Sequence, residues 1–245
     1  MPDLGHDEEE HARTESGPVP ESRLSRRQVF TASAIAAGAG LTSVSACSSS
    51  GAEAGAAGGG QAVSLGASGT TTVEFRGRVT QSGQSFTSYG YLIRASHADQ
   101  GDLFSGTALS EKTALLTAYA TGDLRARTTD DVVHALDIVG TMTVYQRSSP
   151  GATFDDPASF KTGTSVARYN MTLQDILTVI ALNTGLPTLT GDMVQTAARA
   201  LSGPLAGQTF GRNGTRLRFF ATGLGHKTDD APTAQLEIAG NWSVE

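Results

Sequence analysis

The 245 residues include one cysteine, Cys47, one tryptophan, Trp242, and only three lysines. A single cysteine excludes a disulfide framework and any cysteine-built zinc cluster. No stretch of about 20 strongly apolar residues occurs, the length a membrane-crossing helix needs. Positive charge is also scarce: 18 basic residues stand against 24 acidic ones, a formal net charge of −6. Nucleic-acid binding needs a basic field, so nucleic acid is not an expected partner. Catalytic signatures are missing too. There is no Gly-x-Ser-x-Gly elbow, and Gly211-Arg212-Asn213-Gly214 precedes a strand pattern rather than a helix, which makes it a turn and not a phosphate loop. His97, His134 and His226 show no ligand spacing. Asp99, Asp102 and Asp229-Asp230 form no EF-hand series. No metal and no cofactor are expected.

What the chain does contain begins near its N-terminus. Ser25-Arg26-Arg27-Gln28-Val29-Phe30 sets two adjacent arginines ahead of residues 29–46, an uncharged run of Ala, Gly, Ser, Thr and a few larger apolar side chains. The run is too short and too mild for a span and fits a processed signal segment. Arg26, Arg27 and Phe30 resemble a twin-arginine export signal. The run closes on Val44-Ser45-Ala46-Cys47, which resembles the lipobox of bacterial lipoproteins. The resemblance implies a diacylglyceryl thioether on Cys47, which becomes the new N-terminus. Only a thiolate offers the nucleophile this modification needs. One acyl chain holds a protein marginally and two hold it stably, and a diacylglyceryl group supplies two. The implied partners are the twin-arginine export machinery, the lipoprotein-processing enzymes and the membrane itself. The implied location is the outer face of the cytoplasmic membrane. Arginine makes up 15 of the 18 basic residues, and with abundant Ala and Gly this is the composition of a high-GC actinobacterial protein.

Three segments follow. Residues 1–46 are the expected signal peptide. Residues 47–70 hold the expected lipidated Cys47 and a Ser/Gly/Ala tether that cannot bury enough apolar surface to order itself. Its 23 residues after Cys47 reach about 25 Å as a flexible coil. Residues 71–245 remain for one folded domain, with 16 acidic and 14 basic residues.

Period-two alternation dominates that domain. It appears around Val73–Val79, Tyr89–Ile93, Leu115–Tyr119, His134–Val144, Val166–Met171, Thr215–Ala221 and Ala234–Val244. Turn chemistry at Ser82-Gly83, Gly122-Asp123 and Asn213-Gly214 separates these stretches. One region departs from the pattern. Thr172 through Asp175 has the form of a capping box, and Leu173, Ile176, Leu177 and Ile180 follow at helical spacing. A second short helix is expected from about Asp192 to Leu201.

An internal echo runs through both halves. Ala120-Thr121-Gly122 recurs as Ala221-Thr222-Gly223, and Leu136-Asp137-Ile138-Val139-Gly140 as Leu236-Glu237-Ile238-Ala239-Gly240. Repeated hairpins suit a closed barrel. Strand number and alternation resemble small antiparallel barrels of the calycin, allene-oxide-cyclase and dirigent kind. The expected fold is mainly β, one antiparallel barrel of about eight strands with a two-helix insertion near residues 172–202.

The candidate ligand-binding residues are Arg76 and Arg78 on one strand face and Arg216 and Arg218 on another. On a barrel exterior such rows are a solubilising surface paired across strands. Inside a barrel mouth they would bind a carboxylate bidentately. Three functions are compatible with this chain. One is a lipid-anchored barrel that binds a small apolar or amphipathic ligand or an envelope component. The second is a cyclase or isomerase working in the barrel interior, and the third is a structural envelope protein.

Overall fold

Alternating apolar and polar residues can satisfy their backbone only in a sheet, and a sheet with one apolar face must cover that face. This chain does so by rolling the sheet up. The structure is a computed structural model that describes residues 71–96, 98–230 and 232–245. Arg26, Arg27, Phe30, Cys47, the tether and His97 lie outside the described residues. Eight strands are present: β1 (Thr71–Ser82), β2 (Ser85–Ala95), β3 (Leu116–Asp130), β4 (Val133–Gln146), β5 (Thr164–Ala181), β6 (Thr184–Ala198), β7 (Arg216–Lys227) and β8 (Ala234–Val244). Each pairs antiparallel with the next, and β8 pairs back onto β1, giving a closed barrel. Closure leaves no strand edge unpaired.

The core lies inside the ring. Phe75 and Val79 of β1, Leu136, Ile138 and Met142 of β4, Met171 and Leu173 of β5, and Ile238 and Trp242 of β8 are all buried. Phe75 contacts Phe219 and Trp242 at ring separations of 5.4 and 5.9 Å.

The two ends of the barrel differ. At one end, β1–β2, β3–β4 and β5–β6 are joined by two-residue turns. Gly83, Asp131 and Asn183 there hold positive φ of 60°, 48° and 56°, as tight hairpins require. Residues 228–233 join β7 to β8 at this same end. The other end carries three long connections, 96–115, 147–163 and 199–215. Leu103, Leu201, Leu205 and Phe210 from these loops are buried in the core and close that end.

Two buried glutamines fix the last of these loops. Gln195 Nε2 donates to Phe210 O at 2.7 Å and to Ala197 O at 3.0 Å, while its Oε1 accepts from Arg212 N at 3.0 Å. Gln146 Oε1 accepts from Ser202 N at 2.8 Å, and its Nε2 donates to Ser202 O at 2.9 Å. Gly211 sits against Gln195 at φ 71°, where a Cβ would lie 2.2 Å from Gln195 Oε1. Only glycine fits both constraints.

Residues 172–202 correct the sequence-based expectation. They form no helix: β5 and β6 run through the segment as a long hairpin, paired from Ala167↔Ala198 to Ala181↔Thr184. The helical spacing was a coincidence of two faces. Leu173 and Leu177 point into the barrel with Asp175, whereas Ile176 and Ile180 belong to the opposite, outward face. An outer face with its own apolar residues mimics a helix at i, i+3, i+4. Gly122-Asp123 is likewise no turn but the middle of β3. Asn213-Gly214 closes the 199–215 loop, with Gly214 N donating to Gln195 O at 2.8 Å.

Strand β2 carries bulky residues on both faces. Phe86 and Ser88 face the interior, and Tyr89 and Tyr91 face outward. Both tyrosines are nonetheless buried, because residues 147–163 fold over them. Phe160 lies 5.4 Å from the Tyr89 ring and 5.1 Å from the Phe154 ring, and Arg78 caps Phe154 at 4.7 Å. A strand covered on both faces loses the alternation that reveals which side is in.

The echoed segments form β3–β4 and β7–β8, four strands apart in the ring and so on opposite sides. Their registers differ by two residues: Gly122 pairs with Gly140, but Ala221 with Gly240.

Candidate functional site

The short-turn end is open. A cavity of about 530 Å³ enters the barrel there. It leads to a smaller apolar chamber of about 60 Å³, with Phe86, Asp175 and Leu236 lining both. Leu136, Leu177 and Val179 wall the outer part. Met142, Met171, Leu189 and Phe219 wall the inner part. The total space exceeds the lower bound of about 300 Å³ for a small-molecule pocket.

Two glycines help keep the entrance clear. Gly185 and Gly225 pair across β6 and β7, and both line the mouth. A Cβ at Gly185 would come within 2.8 Å of Leu177 Cδ1, and one at Gly225 within 3.3 Å of Leu236 Cγ. Side chains there would fill the wall.

Asp175 is the one ionisable group that lines both the outer cavity and the inner chamber among the described residues. It projects inward from β5 between Leu173 and Leu177 and is 3% exposed. It is the only buried carboxylate among the described residues. Oδ1 accepts one hydrogen bond, from Thr188 N at 3.1 Å. That N–H follows Pro187, where the β6–β7 register skips Leu186 and Pro187. Proline brings no N–H to the ladder, so the sheet is locally open there. Burial pushes the Asp175 carboxyl from 3.8 up to about 6, and the Thr188 hydrogen bond opposes the rise. No Lys, Arg or described His lies within ion-pair distance of it among the described residues.

The rim is mixed in charge. His134 on β4 is half-buried, with Nδ1 3.0 Å from Thr129 Oγ1 across the β3–β4 pair. Arg127 and Lys227 line the mouth and are exposed, and His226 and Asn183 complete it. Asp130, Asp131, Asp229 and Asp230 stand exposed on the hairpin tips of this end.

The four candidate arginines lie elsewhere. Arg76, Arg78, Arg216 and Arg218 all project from the outer face, and none lines the cavity. Arg78 pairs with Glu237 and Arg218 with Asp192, both across strands. His134, which opens the alternating stretch His134–Val144, faces inward, and Asp175, in the expected capping box, lies instead on a strand. The available signal was parity: an acid flanked at i−2 and i+2 by Leu173 and Leu177 on one strand face.

A second depression of about 600 Å³ lies open on the outer side of β2–β5, bordered by Thr87, Asp123, Arg125 and Thr141. It is broad and exposed to solvent.

No family model matches the chain, and no curated protein and no solved structure matches it either. Fold and site therefore define the class by themselves: a closed eight-stranded antiparallel barrel, consistent with the calycin-like kind, with one plugged end and one open end.

Proposed function

We propose that this chain is an exported, lipid-anchored barrel that takes a small apolar or amphipathic molecule through its open end. One observation carries the reading: the interior holds a cavity of about 530 Å³ whose apolar walls converge on a few polar groups, Asp175, His134 and Arg127. The strand order supports kinship in architecture with calycin-type barrels. Arg26-Arg27 and Cys47 support export by the twin-arginine route and anchoring by lipid. The geometry fits an anchor. β1 starts beside Ser243 at the plugged end, so the tether joins the barrel opposite the mouth.

A second reading, acid–base chemistry of a cyclase or isomerase kind in the same cavity, is favoured by Asp175. A carboxyl raised to about 6 by burial is matched to proton transfer near neutral pH.

Native mass spectrometry of the full-length protein, released gently from the membranes of cells that make it, tests the binding reading. A retained small molecule that is lost when Gly225→Leu narrows the mouth supports it. A ligand-free spectrum, together with no saturable uptake of any amphiphile by the purified protein, refutes it.

A further inference from the structure

We propose that the cavity selects molecules that carry a protonated amine on an apolar body, with Asp175 as the counter-ion. This rests on the cavity being a ligand site, and it names the class of ligand.

Hydrogen-bond arithmetic comes first. A carboxylate offers about four acceptor positions. Asp175 uses one, on Oδ1, for Thr188 N. Its Oδ2 has no partner among the described residues, and the side chain lines both the outer cavity and the inner chamber. Tyr169 Oη and Trp242 Nε1 are also buried without a partner among the described residues, but neither residue lines the cavity or the chamber. The remaining buried amides and the Thr117 hydroxyl are occupied. Gln195 and Gln146 each make three hydrogen bonds, all to loop residues but the one from Gln195 to Ala197 of β6. Thr117 Oγ1 donates to Phe160 O at 2.9 Å. Asp175 is thus the strong acceptor left over, and it faces empty apolar space.

Charge decides between the ligand classes. An ionised carboxylate surrounded by Leu173, Leu177, Leu189 and Leu236 lacks the solvation it has in water, and a cation placed against it restores that loss. The groups that face the mouth are Arg127, Lys227, His134 and His226, with the tip residues Asp130, Asp131, Asp229 and Asp230 outside them. Arg127 and Lys227 are exposed, so water and salt screen their repulsion of an entering cation. Asp175 at 3% exposure is screened far less. An anionic amphiphile with its head on Arg127 and Lys227 would lay its tail past Asp175 and leave that carboxylate desolvated without compensation.

Titration calorimetry of the full chain separates these cases with three probes of one chain length: dodecylammonium, dodecanol and dodecanoate, each below its micelle concentration at neutral pH. Dodecylammonium is expected to bind about tenfold or more tighter than either of the others, the range of one hydrogen bond to a charged group. Asp175→Asn keeps the shape and the Thr188 hydrogen bond. It is expected to lower dodecylammonium affinity by about tenfold or more while leaving dodecanol within about threefold. Dodecanol or dodecanoate binding as tightly as the amine, or an amine affinity untouched by Asp175→Asn, overturns the selectivity while the cavity reading stands. No saturable binding of any probe overturns both.

Discussion

Asp175 sits where a hydrophobic side chain would serve stability better, and its titration makes that measurable. Its folded-state value of about 6 lies above the ordinary 3.8. A carboxyl raised by folding favours the native state while protonated. Its contribution is therefore present below about pH 4 and is lost as pH rises through about 6. The two values differ by about two units, which corresponds to roughly 3 kcal/mol. Asp175→Asn should then be more stable than the wild type at neutral pH, and the advantage should vanish near pH 4. Paired denaturant titrations at the two pH values test this, since all other groups cancel in the difference. An equal gap at both values would show that burial does not tax the carboxylate. Tyr169 offers a simpler case. Its hydroxyl is buried with no partner among the described residues. Tyr169→Phe removes a desolvated group and should leave stability unchanged or raise it by up to about 1 kcal/mol in the same assay. Little of the site was legible residue by residue. His134 falls in an obvious inward row, but a lone aspartate carries no signal until its strand and parity are known.

At the scale of elements, legibility followed how each strand is covered. β1 and β8 have an apolar inner row and a largely polar outer row, and their alternation reads directly from the sequence. β2 is buried on both faces, which concealed its orientation. β5 carries Ile176 and Ile180 outward and Leu173 and Leu177 inward, and two interleaved apolar rows imitate a helix. Asn183 turns β5 into β6, and a helix end and a hairpin turn both use a residue with positive φ. The element with the largest predicted mutational effect is the 199–215 plug. Gln195→Leu would leave Phe210 O, Ala197 O and Arg212 N without their partner inside the barrel. Orphaned buried groups cost about 1–3 kcal/mol each. Chemical denaturation should show a loss above about 2 kcal/mol. A loss below about 0.5 kcal/mol would mean that the loop is held by Leu201, Leu205 and Phe210 alone.

For the molecule as a whole, barrel closure and strand number were foreseeable from the alternation and the echoed hairpin. The asymmetry between its ends was not. It arises from loop packing, which leaves no periodic trace: the connections 96–115 and 199–215 fill one end, 147–163 folds over the outer face of β2, and tight hairpins leave the other end open. β1 begins at the plugged end, beside Ser243, and the mouth lies at the far one, which is the arrangement the proposed anchor would use. Cys47→Ala should leave the protein exported but released from the membrane fraction, whereas Arg26→Lys with Arg27→Lys should retain precursor in the cytoplasm. Persistent membrane association of the Cys47→Ala protein would rule out the lipid anchor. Occupation of the interior is the claim on which function rests, and the methionines report on it. Met142 and Met171 line the inner chamber, Met193 is fully buried but not among the cavity walls, and Met1 lies outside the described residues. Carbon-13 methyl spectra of the full chain, recorded while dodecylammonium is added, should show saturable shifts of Met142 and Met171 with Met193 unmoved. Saturable binding that leaves Met142 and Met171 in place would put the ligand outside the barrel and contradict an interior site.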